Sequence, residues 1–533
     1  MAAWVTSRLV VRRSMSAVPP EPAVIDRRYS VTRSDPWPGQ EFRPVPGAEV
    51  AGKIVSRTGT HRRQYHSRKG GVPPPFPAPM KSSTLLPAFL HPRAERKPKK
   101  ARPPRPPLDP SDRLRRWLAA LGLLIIALGA LFWFTSARIV SYPIELTYGP
   151  EDPVFADSMG PMLGAEFTRG NAVKLHSNGD DFFPVMLAAI RGAQKSITLE
   201  TYIWSSGRIS DQFIDALVER AQHGVKVHVM VDGMGMLKFK QEDQDRLLAG
   251  GVQYIVYGRE HWWQIKADIN HRTHRKLLIC DGRIGFTGGM CIDDSWLGNA
   301  TEEDHWREVQ LEAEGPVVRQ MQSVFIANWL QTTARLLTGP DYFPAEYAPR
   351  AGARAQCYKS GPGEDPENAR ISYLMGIAAA RKSIRIQHAY FVPDDLALGM
   401  LLDARKRGVE IDVIIPAHND SRFGRAASRS RWGRLLEAGV RFHSYNPAMY
   451  HCKMMIVDDL FLTIGSVNFD NRSFGINDEV AVNTLDAGVA RAGLKLFADD
   501  LAHSTPLTLE EFDARPWWQK LVDHFCGLFR SQL

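Results

Sequence analysis

The chain has 533 residues, with 67 Lys and Arg against 58 Asp and Glu and a net charge of +9 at pH 7, long enough for two ordinary domains plus extensions. The charge is unevenly placed: residues 1–116 hold 24 basic and 8 acidic side chains, leaving about −7 on the rest, which argues against a nucleic-acid-binding body. The five cysteines, Cys280, Cys291, Cys357, Cys452 and Cys526, form no CxxC pair, which argues against a disulfide framework and a cysteine zinc site.

Residues 1–110 are rich in Pro and Arg, as in RKPKKARPPRPP at 96–107, and show no sustained apolar period. They read as a disordered basic extension, within which Met80 offers an alternative start. Residues 117–134, WLAALGLLIIALGALFWF, form an uncharged run that as a helix would extend about 27 Å, enough to span a bilayer once. Arg113, Arg115 and Arg116 precede it and only Arg138 follows closely. This bias predicts a transmembrane helix with a cytoplasmic N-terminus and the body on the other side.

Beyond the span the chain repeats itself. MLAAIRGAQKSITLETYIW (186–204) answers to LMGIAAARKSIRIQHAYFV (374–392), and ALVERAQHGVKVHVMVDG (216–233) to LLDARKRGVEIDVIIPAH (401–418). In each pair an amphipathic helix leads into an apolar strand. The pattern predicts an α/β fold built twice, each lobe a mixed sheet flanked by helices: a first lobe over 165–335, a linker over 336–365, a second lobe over 366–515, and a C-terminal amphipathic helix over 516–533.

Each lobe carries the same phrase. His274 and Lys276 precede Asp281, and His451 and Lys453 precede Asp458 at the same spacing; Gly288-Gly289 and Gly465-Ser466 follow at matching offsets. The segment 277–287 reads as a β-hairpin turning at Asp281-Gly282, and residues two apart on the strand entering it share a face. A Lys beside a His suits a phosphate, one neutralising an oxygen and the other attacking phosphorus or moving a proton. Two histidines across a phosphodiester divide the work, one as nucleophile and one as general acid then base. The scheme calls for neither a metal nor another cofactor.

With two HxKxxxxD motifs the chain resembles the phospholipase D superfamily, and within it the bacterial cardiolipin synthases. GSVNFDNRSFGINDE (465–479) is similar to their pattern after the second motif, and HWREVQLEAEGPVV (305–318) resembles the stretch after the first. The resemblance implies two phospholipase D-like lobes related by a pseudo-twofold, with the active site at their interface. It implies that His274 and His451 are the nucleophile and general acid/base, that Lys276 and Lys453 bind phosphate, and that Asp281 and Asp458 are supporting motif carboxylates. Ser466 and Asn468 match a phosphate-contacting pair, and Glu479 and Glu308 match carboxylates that orient the imidazoles. Cys291 stands where the second copy has Asn468, so the clamp is asymmetric. The implied reaction moves a phosphatidyl group between two phosphatidylglycerols through a phosphohistidine, giving cardiolipin and glycerol at the bacterial inner membrane. Attack by water instead would make the site a phospholipase D releasing phosphatidic acid; a superfamily nuclease and a non-catalytic membrane scaffold are further alternatives.

Four other features stand out. Arg422, Arg425, Arg429, Arg431 and Arg434 fit either an anionic headgroup or a solvated helix face. Trp262-Trp263 lies in an insertion confined to the first lobe, and Trp517, Trp518, Leu521, Phe525 and Leu528 share one face of the last helix. Both fit a lipid interface or the protein's own core. His271 and His274 with the acidic run 302–305 lack the spacing of a metal site.

Overall fold

The computed structural model describes residues 110–134, 142–258, 270–347, 352–363 and 365–532, and in its first helix the side chains of 114–129. The disordered extension expected over 1–110 lies, apart from Pro110, outside these residues, as does the Trp262-Trp263 insertion. The first helix runs Pro110–Phe134. Its described side chains include Arg115 and Arg116, and among the described residues no helix is long and apolar enough to cross a membrane. The transmembrane span expected over 117–134 is therefore not supported, and its last five side chains fall outside the described set.

One sheet organises the rest. The first half supplies β1 (Thr168–Ser177), β2 (Ser196–Thr201), β3 (Lys226–Asp232), β4 (Gln253–Tyr257), β5 (Leu277–Cys280), β6 (Ile284–Gly288) and β7 (Val309–Glu314). The second supplies β8 (Ala353–Ser360), β9 (Ser383–His388), β10 (Glu410–Pro416), β11 (Arg441–Tyr445), β12 (Lys453–Val457), β13 (Phe461–Gly465), β14 (Glu479–Leu485) and β15 (Ser504–Leu507). The order is β15-β11-β10-β9-β12-β13-β14-β8-β1-β7-β6-β5-β2-β3-β4. Outward from the central β1–β8 seam, the halves run β1-β7-β6-β5-β2-β3-β4 and β8-β14-β13-β12-β9-β10-β11 in the same order, with β15 added antiparallel at the outer edge of the second. The duplication in sequence is thus a duplication in topology, but the two sheets are joined edge to edge into one.

Within each half, β2-β3-β4 and β9-β10-β11 pair in parallel through helical crossovers, which buries β2, β3 and β10 almost throughout. The helices Gly179–Gly192 and Arg208–Gln222 set Phe182, Met186, Ile190, Phe213 and Leu217 against Val227 and Val229. The core also crosses the seam: Phe325 and Trp329, on the helix Val317–Thr333, share one cluster with Cys357, Met454 and Ile464. The helix Pro153–Leu163 precedes the first half yet packs on the second, with Phe155 edge-on to Phe461 at 5.4 Å.

β8 corrects the expected linker over 336–365. Residues 353–360 are a buried strand at the centre of the sheet, paired with β14 along its length and with β1. With Arg354, Gln356 and Lys359 interrupting it and Gly-Pro on both sides, it carries a weaker apolar signal than its neighbours. Both motif hairpins turn on paired left-handed residues, Asp281-Gly282 (φ 56° and 61°) and Asp458-Asp459 (φ 51° and 57°), the backbone a two-residue hairpin loop demands. All five cysteines are buried and free.

Candidate active site

The two phrases enter one cleft of about 300 Å³, lined from the first half by Tyr202, Arg272, His274, Lys276, Cys291, Trp296 and Trp306, and from the second by Tyr390, Asp420, His451, Asn468, Arg472 and Asn477. Backbone pairing across the halves brings them there. His274 N–H donates to Asp478 O (2.9 Å) and His451 N–H to Arg307 O (2.8 Å). Each histidine is thereby tied to the residue before the other half's glutamate.

The imidazoles are held by those glutamates. His274 Nδ1 lies 2.9 and 3.1 Å from the Glu479 carboxylate oxygens, and His451 Nδ1 lies 2.7 Å from Glu308 Oε2. Both pairs cross between halves. A carboxylate at Nδ1 fixes the tautomer and leaves Nε2 for chemistry. Tyr202 meets the His274 ring edge-on at 5.2 Å, and Trp296 and Trp306 hold the His451 ring at 5.3 and 5.1 Å.

The halves differ in charge. Glu479 accepts from Ser473 Oγ (2.7 Å) and from Ser466 Oγ as well as facing His274. Burial alone would raise its pKa, but the His274 contact, the Lys276 charge and the Ser466 hydroxyl hold it below the usual carboxylate range. Glu308 accepts from the Val309 N–H (3.0 Å) and faces its histidine, with Gly289 where the second half has Ser466, and burial pushes it up to about 7. Burial likewise lowers His274 to about 4 and His451 well below its ordinary value, so both imidazoles are neutral near pH 7. The reason for Gly289 opposite Ser466 is steric: a Cβ at Gly289 would collide with the Glu308 carboxylate.

Lys276 and Lys453 are both buried, Lys276 lining the cleft, and each donates to the carbonyl of its own motif histidine (2.6 and 2.7 Å). Lys453 Nζ also lies 3.1 Å from both ring nitrogens of His451. Burial lowers Lys276 and brings Lys453 down to about 8, which leaves Lys453 mainly cationic at neutral pH.

Asp281 and Asp458 do not join this group. Asp281 sits in the hairpin turn and accepts from the N–H groups of Gln194, Lys195 and Ser196 at 2.7–3.1 Å; Asp458 does the same for Arg381, Lys382 and Ser383 at 2.7–2.8 Å. Each anchors the start of β2 or β9 to its hairpin. Ser466 is fully buried and engaged with Glu479 rather than open to the cleft, whereas Asn468 lines the cleft and its Oδ1 has no hydrogen-bond partner. Cys291 lines the opposite wall and accepts from the Ile203 N–H at 3.5 Å.

Arg272 and Arg472 were not singled out by sequence reasoning, although Arg472 lies within the quoted NRS of the second motif. It is oriented by Asn270, bonding its carbonyl and its Oδ1 at 2.9 Å. Of the arginines at 422–434 none lines the cleft; Arg429 bonds Asp523 (2.8 Å) and Arg431 pairs with Asp395. Glu302, Asp304 and His305 form an exposed cluster, from which His271 stands apart, 2.9 Å from Asp478.

Comparison with known proteins agrees with this arrangement. The family described as "Cardiolipin synthase, PLD-like domain" matches residues 186–329 and 373–501, one segment in each half. The chain is 32% identical over 367 residues to Cardiolipin synthase 1 of Bacillus anthracis, covering 68% of this chain and 72% of that protein. It is 33% identical to the major cardiolipin synthase ClsA of Bacillus subtilis, over 67% of this chain and 75% of that protein. The crystal structure of phosphatidylserine synthase from Haemophilus influenzae shares the fold, with a TM-score of 0.54 at 15% identity over 71% of this chain and all of that one.

Proposed function

The chain belongs to the family of cardiolipin synthases with phospholipase D-like domains, and from that premise we propose a phosphatidyl transfer in which His274 is the nucleophile and His451 the general acid and base. The observation that carries this division of labour is the unequal pair of carboxylates. An ionised Glu479 accepts the Nδ1–H of neutral His274, leaves the Nε2 lone pair free, and stabilises the cation that forms when Nε2 bonds phosphorus. Glu308, with a pKa near 7, keeps a proton within the Glu308–His451 pair.

In the first step His274 Nε2 bonds to the phosphorus of one phosphatidylglycerol as the bond to its headgroup glycerol breaks. The leaving oxygen takes a proton delivered through His451, and glycerol departs. In the second, a terminal hydroxyl of another phosphatidylglycerol gives its proton to His451, its oxygen bonds phosphorus, and the N–P bond breaks to release cardiolipin. Lys276 and Lys453 neutralise the phosphoryl oxygens, and the Asn468 carboxamide is the further polar contact in reach. No metal takes part in these steps.

In this reading the enzyme works at a membrane, with the uncharged run 117–134 as its proposed single-pass anchor in a bacterial inner membrane and the body outside the cytoplasm, the orientation that the arginines before the run favour. Purified protein given phosphatidylglycerol should release cardiolipin and glycerol in equal amounts. Phosphatidic acid without cardiolipin would reassign the site to hydrolysis. His274→Ala and His451→Ala should each abolish turnover, and His274→Ala should abolish acid-labile phosphatidyl labelling of the protein; labelling that survives in His274→Ala would move the nucleophile elsewhere.

A further inference from the structure

The C-terminal helix Trp517–Gly527 is built inside out. Its one carboxylate, Asp523, is buried and bonded by Arg429 (2.8 Å) and Arg515 (2.6 Å), while Cys526 and Gly527 complete the inner face, with Gly527 closing on Ser430. The large apolar side chains point the other way. Trp517 is 77% exposed, Leu521 60% and Phe525 58%, and Trp518, Leu528 and Phe529 are exposed beside them. A helix stabilised by its own protein buries its apolar stripe. Here polar and ionic contacts attach the helix and the stripe is left outward, forming with Phe423 a contiguous apolar surface of the kind that marks an interaction site.

Two further observations identify the occupant. The charged and titratable groups on the helix's outward side are Lys520 and His524, and Arg422 is exposed next to Phe423, so the rim is basic and free of carboxylates from the helix itself. The surface also adjoins the cleft. The turn after the helix binds the cleft wall through Arg530 O to Asn471 (3.2 Å) and Gln532 O to Arg472 (3.3 Å). On its other flank Phe423, at 6.2 Å from Phe529, lies three residues from Asp420, which lines the cleft.

We infer that this face docks onto an anionic phospholipid bilayer, with the aromatic and aliphatic side chains entering the headgroup region and the basic rim meeting lipid phosphate, so that the cleft mouth is set against the surface holding its substrate. The inference deepens the proposed function and rests on lipid being the substrate. It assigns to the helix a role separate from the anchor proposed at 117–134.

The test uses the full chain with vesicles of phosphatidylglycerol carrying brominated acyl chains. Tryptophan emission should be quenched in the wild type, and the quenching should fall in the Trp517→Phe/Trp518→Phe variant. In parallel, Leu521→Glu/Phe525→Glu should lose about tenfold or more of its turnover on phosphatidylglycerol vesicles and less than about twofold on a short-chain, monomeric phosphatidylglycerol. Equal quenching in wild type and the Phe variant overturns the inference. So does an equal loss on both substrates, or a wild-type dimer in sedimentation that the Glu variant splits without any vesicle defect. A wild type inactive on both substrates would sink the functional reading instead, while the quenching comparison would still decide the docking surface.

Discussion

Glu308 and Glu479 occupy equivalent places and face opposite electrostatics. Two serine hydroxyls reach Glu479, and the glycine at the equivalent position leaves Glu308 without one. The consequence is a pH profile with two limbs. With His274 as the proposed nucleophile and His451 as the proposed acid, activity should fall below about pH 4, where His274 binds a proton, and above about pH 7, where the Glu308–His451 pair loses its own. kcat/KM should therefore be highest between these values. Glu308→Gln removes the ionisable proton, so the alkaline limb near pH 7 should disappear and kcat should fall by about 10²-fold or more, the usual worth of a positioned proton donor. A limb retained near pH 7 in this variant would place the acid elsewhere. At this scale the sequence was legible where chemistry is written locally: histidine and lysine two apart, with a carboxylate in each following stretch. The crossing of partners was not, because His274 finds Glu479 across 205 positions and His451 finds Glu308 across 143. Only the folded sheet sets that pairing.

The shared shape of the two motif hairpins depends on an aspartate that bonds backbone N–H groups and does not line the cleft. Asp281 adopts φ 56° and takes three backbone N–H groups at the entry to β2, so it fixes the hairpin to the strand that carries Tyr202 toward the cleft. Asp281→Ala loses those charge-assisted bonds and adds left-handed strain, an expected cost of about 2–3 kcal/mol read as a lower melting temperature. Asp281→Asn, which tolerates the same backbone and keeps an acceptor, should lose less than half of that. Turnover by the protein that remains folded should be near wild type in both; a kcat loss comparable with that of His274→Ala would return Asp281 to the chemistry. The turn was readable because Asp-Gly between apolar runs has few alternatives. β8 was not, since its Arg354, Gln356 and Lys359 mimic a polar connector, and its place at the seam depends on β14 and β1 covering it from both sides.

A cleft shared by two halves needs those halves in fixed register, and the seam that sets it is short: β1 meets β8 at Thr168–Ala355 and Asn171–Ala353, with an irregularity between. Asn171 bridges that irregularity. Its Nδ2 donates to Ala353 O (3.0 Å) and Thr168 O (2.9 Å), and its Oδ1 accepts from the N–H of Val317 (2.8 Å), at the start of the helix whose Phe325 and Trp329 enter the shared core. One fully buried carboxamide thus joins both sheets and the crossing helix. Asn171→Ala leaves buried partners unsatisfied and should destabilise the protein by about 2–3 kcal/mol. Because the core and both histidine–glutamate pairs span the seam, the halves should unfold together: scanning calorimetry should show residues 142–532 melting in one transition, shifted down as a whole in the variant. Turnover measured below that transition should also fall, since a slip at the seam moves each histidine relative to the glutamate that orients it. Two separate transitions in either protein would mean that the halves are autonomous lobes and that the seam does not hold the cleft together.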